Sequence, residues 1–434
     1  MKIKLLSLIA FVPAMFFSQK VYTSDVTNFW KAYDKIVVEK DSLQKVNLIK
    51  TLYIEKGTPG LHDIMKARRY TAEEYVYIIG KYPKFWTSIR PRTLKAKNQA
   101  KNVEKSIAAL KKVYPEAKPA NVYFTVGLLR TNATTMGGNV LIGSESALAD
   151  KDVDISEMYK SYPQLKAYFA GNPINSFASL TAHEYVHTQQ KSTIGNNLLT
   201  QVVMEGVAEF VSNLSLNKKS AVPAMAYGHA HEAEIKNLFV KEMFTPYINT
   251  ASNWIWNSSN NRFGIADLGY FVGNEIAGKY YESQSDKKAA IKHMIELDYN
   301  NEAVLQKFVD ESGYFEKPVA QYVSGYEANR PTVVGIKEFE NGSKNVNPNT
   351  KIITLTFSEP MMFFTNFNFG PLGEGNAMKI ERLLGYSEDK KTLRLQIMNL
   401  KPDQRYQLLI DEGFRSVNNL PLKSYLIDFT TASK

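Results

Sequence analysis

Apolar positions recur at helical spacing up to about residue 330, and beyond that they alternate as they do in strands. Val26, Phe29, Trp30, Tyr33 and Ile36 share one face of a helix predicted over 25–38. Asp41 or Ser42 is placed to cap a second helix that leads to Leu48, Leu52 and Ile54. Thr71 with Glu74 reads as a capping box ahead of Tyr75, Ile78 and Ile79. A longer basic helix is predicted over 93–113, with Tyr82, Phe85 and Trp86 before it as core aromatics, so residues 20–115 read as a helical region. The period then changes. Residues 121–126 and 138–142 are short β-prone segments separated by a polar, glycine-bearing loop at 128–137. They form either an ordinary hairpin under the next helix or the rim of a cleft that offers backbone groups to an extended peptide, with Gly137, Gly138 and Asn139 as the residues to watch.

Beyond a loop at 194–197, an apolar helix is predicted over 199–216. Gly269 and Gly273, four apart ahead of Ile276 and Tyr280, would let another backbone approach closely on one helix face. Helices over 289–297 and 302–311 complete this part. The composition shifts at Asn329-Arg330-Pro331, after which alternating segments cover 332–336, 351–357, 378–383, 392–397, 405–410 and 425–430. Turn signals at Asn341-Gly342 and Lys401-Pro402-Asp403 separate them, and the whole predicts a β-sandwich. The fold class is α+β: a mainly helical domain with a small β-sheet, followed by an all-β sandwich.

Composition narrows the function classes. With 44% hydrophobic and 12% aromatic residues in 434, the chain can bury a large core and divide into two or three domains. Lys2 and Lys4 ahead of the apolar run 5–17 read as a signal peptide over 1–19, which implies export to the periplasm, cell surface or extracellular space. No later stretch reaches the length of a transmembrane span. The absence of cysteine excludes disulfides, thiolate metal ligands, a cysteine nucleophile and a lipid-acceptor cysteine after the leader. Net charge is +10, or +8 without Lys2 and Lys4, but the basic residues are spread rather than clustered. That pattern gives a solvated surface, with no nucleic-acid signature.

The chemistry concentrates in 178–191, where His183, Glu184 and His187 spell HExxH. A chain of this composition would show that pattern by chance roughly 0.005 times. Four residues apart on a helix, the two imidazoles face one cation, while Glu184 can reach a metal-bound water as general base. A catalytic zinc needs a third protein ligand. On the next helix both Glu205 and Glu209 are candidates, since they lie among Val202, Val203, Val207 and Phe210, where an unpaired charge is costly. His229 and His231, on a predicted loop, read as exposed rather than as a second metal site, and Trp254 and Trp256 as core or cleft wall.

His183-Glu184-x-x-His187 followed by Glu205-Gly206-x-Ala208-Glu209 resembles the gluzincin metallopeptidases, in particular the aminopeptidase-like and bacterial zinc-peptidase branches whose second helix reads E-G-x-A-E. The resemblance implies a catalytic region over 116–328 that binds one Zn2+ per chain. It implies that Glu205 is the third ligand and that Glu209 orients a ligand histidine. It also implies a peptide or protein substrate and points to Tyr270, in the region where related enzymes place a tyrosine that donates to the developing oxyanion. Met204 stands where that branch has Asn, and the aminopeptidase G-x-M-E-N signature is absent, so specificity for free amino termini is not implied. Residues 329–434 resemble bacterial Ig-like domains appended to exported proteins, which leaves spacer, substrate-presenting and cell-surface roles open. The rival expectation is a non-catalytic cell-surface or binding protein built on a metallopeptidase scaffold.

Overall fold

The computed structural model describes residues 19–433 except 161, 163, 192–194, 247–252 and 364. The leader expected over 1–19 lies outside these residues apart from Gln19, as does Ile194 of the expected loop. One compact unit holds the chain up to Glu232 together with Ala251–Tyr314, and a second holds Ala233–Thr250 and everything from Phe315 onward.

The first unit begins with helices whose apolar faces match their spacing. The helix Ser24–Ile36 buries Val26, Phe29, Trp30, Tyr33 and Ile36, and Phe29 packs between the rings of Trp30, Tyr53 and Trp86. Asp41 caps the helix Ser42–Ile49 by accepting from the Gln44 N–H, and a π-helical stretch, Lys50–Ile54, turns Tyr53 inward. The Thr71 and Glu74 capping box forms at the start of Ala72–Lys81. The helix expected over 93–113 starts three residues later, at Ala96–Val113, and Phe85 and Trp86 ahead of it lie on a helix of their own, Pro83–Thr93. Between them the last turn tightens, with the Lys95 N–H on the Arg92 carbonyl.

Behind these helices lies a four-stranded sheet ordered β1 (Val21–Tyr22), β2 (Val122–Thr125), β4 (Asn139–Gly143) and β3 (Ala133–Met136). The first three run parallel, and β3 is antiparallel to β4 at the edge. The segment 128–137, expected as loop, therefore contains a strand. All four residues of β3 are half-buried, so the strand lacks the in-out contrast that marks β-structure in a sequence. Gly137 and Gly138, with φ of 57° and 74°, make the tight turn that pairs Met136 with Asn139. The helical region grips the end of β2 through the Val126 carbonyl, which accepts from the Tyr53 and Tyr75 hydroxyls at 2.6 and 2.8 Å. Just beyond, the buried Glu145 carboxylate accepts from the N–H groups of Gly127 and Leu129 at 2.9 and 3.1 Å.

Three helices complete the frame of the site. Phe177–His187, the HExxH helix, lies against β3 and β4 and starts with Phe177 packed on Phe124 of β2. Leu198–Leu216 follows, capped by Asn197 and buried along most of its length. Leu268–Ser283 crosses it in backbone contact: a Cβ on Gly206 would lie 2.0 Å from the Gly273 carbonyl carbon, and one on Gly273 would lie 2.0 Å from the Val202 carbonyl oxygen.

The second unit is a sandwich of two antiparallel sheets. One is ordered β5 (Val333–Ile336), β6 (Ile352–Phe357), β9 (Thr392–Ile397) and β8 (Ile380–Tyr386); the other is β11 (Tyr425–Thr430), β10 (Arg405–Ile410) and β7 (Phe367–Asn368). Ile353, Leu355, Leu393 and Leu395 from the first sheet meet Leu408, Ile410, Ile427 and Phe429 from the second in one core. Two helical pieces ahead of the strands belong with this unit. Phe239 stacks on Phe315, and Phe244 packs edge-on against Tyr326 of the helix Val319–Asn329.

Candidate metal centre

Helical geometry places His183 and His187 one turn apart on the same face, with their Nε2 atoms 3.0 Å from each other. The Leu198–Leu216 helix brings Glu205 to them, its Oε2 3.3 Å from His183 Nε2 and 3.2 Å from His187 Nε2. All three side chains are buried. Three donors held about 2.0–2.1 Å from a tetrahedral zinc ion stand about 3.3 Å apart, so the observed spacing fits such an ion. Imidazole nitrogens and a carboxylate are also donor types that zinc takes.

The electrostatics favour positive charge at this point. Burial opposes an imidazolium at His183, yet Glu205 and Glu209 outweigh it and hold the group up at about 10. His187 is raised in the same way, with Glu205 prevailing over burial. Glu205, despite burial, is held well below the usual carboxylate range by the two imidazoles. A cation among these donors would take over the role that protons play without it.

Around this cluster the structure brings together Glu209, Glu184 and Tyr270. Glu209 Oε2 lies 3.3 Å from His183 Nδ1, while its Oε1 accepts from Asn213 Nδ2 at 2.7 Å and from the Ser220 hydroxyl. Glu184 is buried, and among the described residues its carboxylate has no hydrogen bond or ion pair. Burial pushes its pKa up, against the pull of His187 and His183. The Tyr270 ring lies 5.9 Å from that of His183, and burial together with the charges of Glu205 and Asp267 keeps its phenol protonated far above neutral pH.

His229 and His231 stay apart from this cluster. His229 sits on the short helix Ala224–Ala230 rather than on a loop, with an exposed ring 3.9 Å from Glu275, and His231 stacks on Tyr227. Trp254 is fully buried, whereas Trp256 is 53% exposed.

Other participants left little trace in the sequence. Gln190 Oε1 lies 2.7 Å from His187 Nδ1, and its Nε2 donates to the Met204 carbonyl and the Tyr299 hydroxyl, both at 3.1 Å. Its spacing of three from His187 was the available signal. Gln201 donates to Glu205 Oε1 at 3.3 Å, one helical turn away. Arg68 is within electrostatic reach of Glu184, and its buried Nε has no hydrogen-bond partner among the described residues. Nothing in its sequence neighbourhood pointed to the site.

Residues 327–431 match the bacterial Ig-like domain family. The C-terminal sandwich is a bacterial Ig-like domain. The cluster of His183, His187 and Glu205 lies wholly outside the Ig-like domain in sequence. No curated protein matches the chain. Two solved structures of the surface-layer protein SbsC are similar at 12% and 13% identity, each with a TM-score of 0.19 and covering 77% of this chain. This chain spans 46% of each of them.

Proposed function

We propose that the chain is an exported zinc-dependent peptidase in which His183, His187 and Glu205 hold the metal and Glu184 is the general base. The observation that carries this reading is the convergence of three buried donor atoms within 3.3 Å, beside a buried carboxylate that has no hydrogen bond or ion pair among the described residues. A buried acid with a raised pKa next to ligating imidazoles is poised to exchange a proton, and a purely structural metal site has no need of one.

When bound, zinc supplies Lewis acidity toward water and toward a substrate carbonyl. Glu184 accepts the proton of the attacking water and delivers it to the leaving amine. Tyr270, kept protonated, donates to the oxyanion as it develops. Glu209 holds the His183 ring in orientation and is itself steadied by Asn213 and Ser220. The free edge of β3, alongside the HExxH helix, offers backbone groups to an extended peptide. Export rests on the basic and apolar character of the first residues, and the Ig-like domain is suited to contact with a cell surface. No helix among the described residues is long and apolar enough to cross a membrane.

The second reading, a non-catalytic cell-surface or binding protein on a metallopeptidase scaffold, draws its support from the Ig-like domain. Metal analysis and cleavage of a peptide library separate the two. The peptidase reading expects about one zinc per chain, with Glu184→Gln keeping the metal and losing hydrolysis. Cleavage unchanged in that variant, or metal lost from it, contradicts the assigned roles. Zinc bound by a wild-type protein that cleaves nothing favours the binding protein.

A further inference from the structure

The orientation of the buried Gln190 amide follows from its surroundings. The Tyr299 hydroxyl spends its proton on the Met294 carbonyl at 2.6 Å, so toward Gln190 it can only accept. The Met204 carbonyl is also an acceptor, and both lie 3.1 Å from the amide nitrogen. Exchanging the oxygen and nitrogen of the amide would set its oxygen against two acceptors, in a place shielded from water. The oxygen end is therefore committed to His187 Nδ1, 2.7 Å away. A carbonyl oxygen has no proton to give, so Nδ1 must carry one.

We infer that Gln190 is a positioning residue that locks His187 in the tautomer protonated at Nδ1, leaving the Nε2 lone pair aimed at the point where His183 Nε2 and Glu205 Oε2 converge. The order is imposed from outside inward: the Met294 carbonyl fixes the Tyr299 proton, Tyr299 and Met204 fix the amide, and the amide fixes the imidazole. Because Met204 is the residue before Glu205, the same side chain also ties the second ligand to the backbone that carries the third. His183 is served differently, by the Glu209 carboxylate at 3.3 Å. The two ligand imidazoles thus have unlike outer partners, one charged and one neutral.

This inference rests on the cluster being a metal centre, and the experiment separates the two ideas. Zinc affinity of the full chain is measured by competition with a chromophoric chelator for wild type, Gln190→Met, Gln190→Glu and Tyr299→Phe. Thermal midpoints of the metal-free proteins are recorded alongside. Gln190→Met, similar in shape but without the acceptor, should lose zinc affinity by about 10- to 100-fold. Gln190→Glu keeps an acceptor for Nδ1 but sets its second oxygen against the Met204 carbonyl, so it should recover only part of that loss, and Tyr299→Phe should lose less than Gln190→Met, because Met204 still orients the amide. In zinc-loaded wild type, long-range 1H–15N spectra of labelled histidine should show His187 protonated at Nδ1, a readout that does not depend on any variant folding. Wild-type affinity in Gln190→Met overturns the inference and leaves the metal centre standing, whereas a proton found on His187 Nε2 overturns both the inference and the place of His187 among the ligands. A wild-type protein that takes up no zinc overturns both.

Discussion

Substituting Gly273 by Ala tests whether helix contact sets the metal geometry. The added methyl would lie 2.0 Å from the Val202 carbonyl oxygen and 2.8 Å from the Gly206 Cα, more than an ångström short of ordinary van der Waals contact in the first case. Both neighbours are backbone atoms of the Leu198–Leu216 helix, so no side-chain rotation relieves the overlap, and the two helices must move apart. Overpacking a core costs about 1–3 kcal/mol, and a clash with backbone belongs at the upper end, ~3 kcal/mol. In a unit of this size that lowers the melting temperature by about 5 °C. Glu205 adjoins Gly206 and Tyr270 rides on the other helix, so the separation also displaces a ligand and a neighbour of the site. Zinc affinity should fall by roughly tenfold or more. Gly278→Ala is the control on the same helix, because a methyl there approaches Phe210 no closer than 3.5 Å. It should be neutral or stabilising by up to ~1 kcal/mol, the helix-propensity difference between Gly and Ala. Differential scanning calorimetry and chelator competition on both variants decide the matter. A Gly273→Ala protein that melts and binds zinc like wild type, or a Gly278→Ala protein that suffers equally, would refute the reasoning.

Other expectations concern single side chains. Glu205→Ala should abolish zinc binding, while Glu209→Ala should weaken it by about 10- to 100-fold, as chelator competition would show; equal losses would erase the distinction drawn between ligand and orienting carboxylate. Tyr270→Phe should lower kcat by about 100-fold with KM little changed, and an unaltered kcat excludes an oxyanion role. Burial pushes the Asp267 carboxyl up from 3.8 to about 6, and its charged form also suffers repulsion from Glu205. A carboxyl whose folded pKa is raised contributes stability that is complete below pH 3.8 and lost as pH climbs through about 6. Asp267→Asn keeps a residue suited to the left-handed φ of 63° and stays neutral. Its urea midpoint should therefore gain on wild type across that window, and a difference that does not vary with pH would count against the assignment.

Elements with strong periodic contrast were legible in the sequence. Residues 392–397, 405–410 and 425–430 alternate inward and outward positions, and the strands found there have those bounds. Val26 to Ile36 and the Thr71 capping box announced their helices equally well, because local rules fix both. What stayed hidden depends on partners distant in the chain. β1 is two residues long and exists because β2, a hundred residues later, pairs with it. β3 is half-buried throughout and shows no alternation. At the site, HExxH and EGxAE carry His183, His187 and Glu205 at fixed helical offsets, so the residues that converge could be named. Gln190 lies three residues past His187 but gains its meaning from Tyr299, 109 residues onward. No local pattern encodes a hydrogen bond of that span.

The pairing of β1 with β2 constrains the order in which the molecule can assemble. Val21 and Tyr22 register with Val122 and Tyr123, Tyr22 stacks on Tyr123 with ring centroids 4.6 Å apart, and the Lys20 carbonyl accepts from the Val122 N–H at 2.9 Å. During vectorial synthesis Val21 and Tyr22 must wait for about a hundred more residues before their strand can close. The intervening helices can fold locally in that interval and shorten the effective loop, which lowers its closure entropy. The sheet beneath the HExxH helix is therefore sealed by Val21 and Tyr22, from far upstream of the strand they pair with. Trimming a few residues beyond Lys20 would unseat a strand rather than shorten a tail.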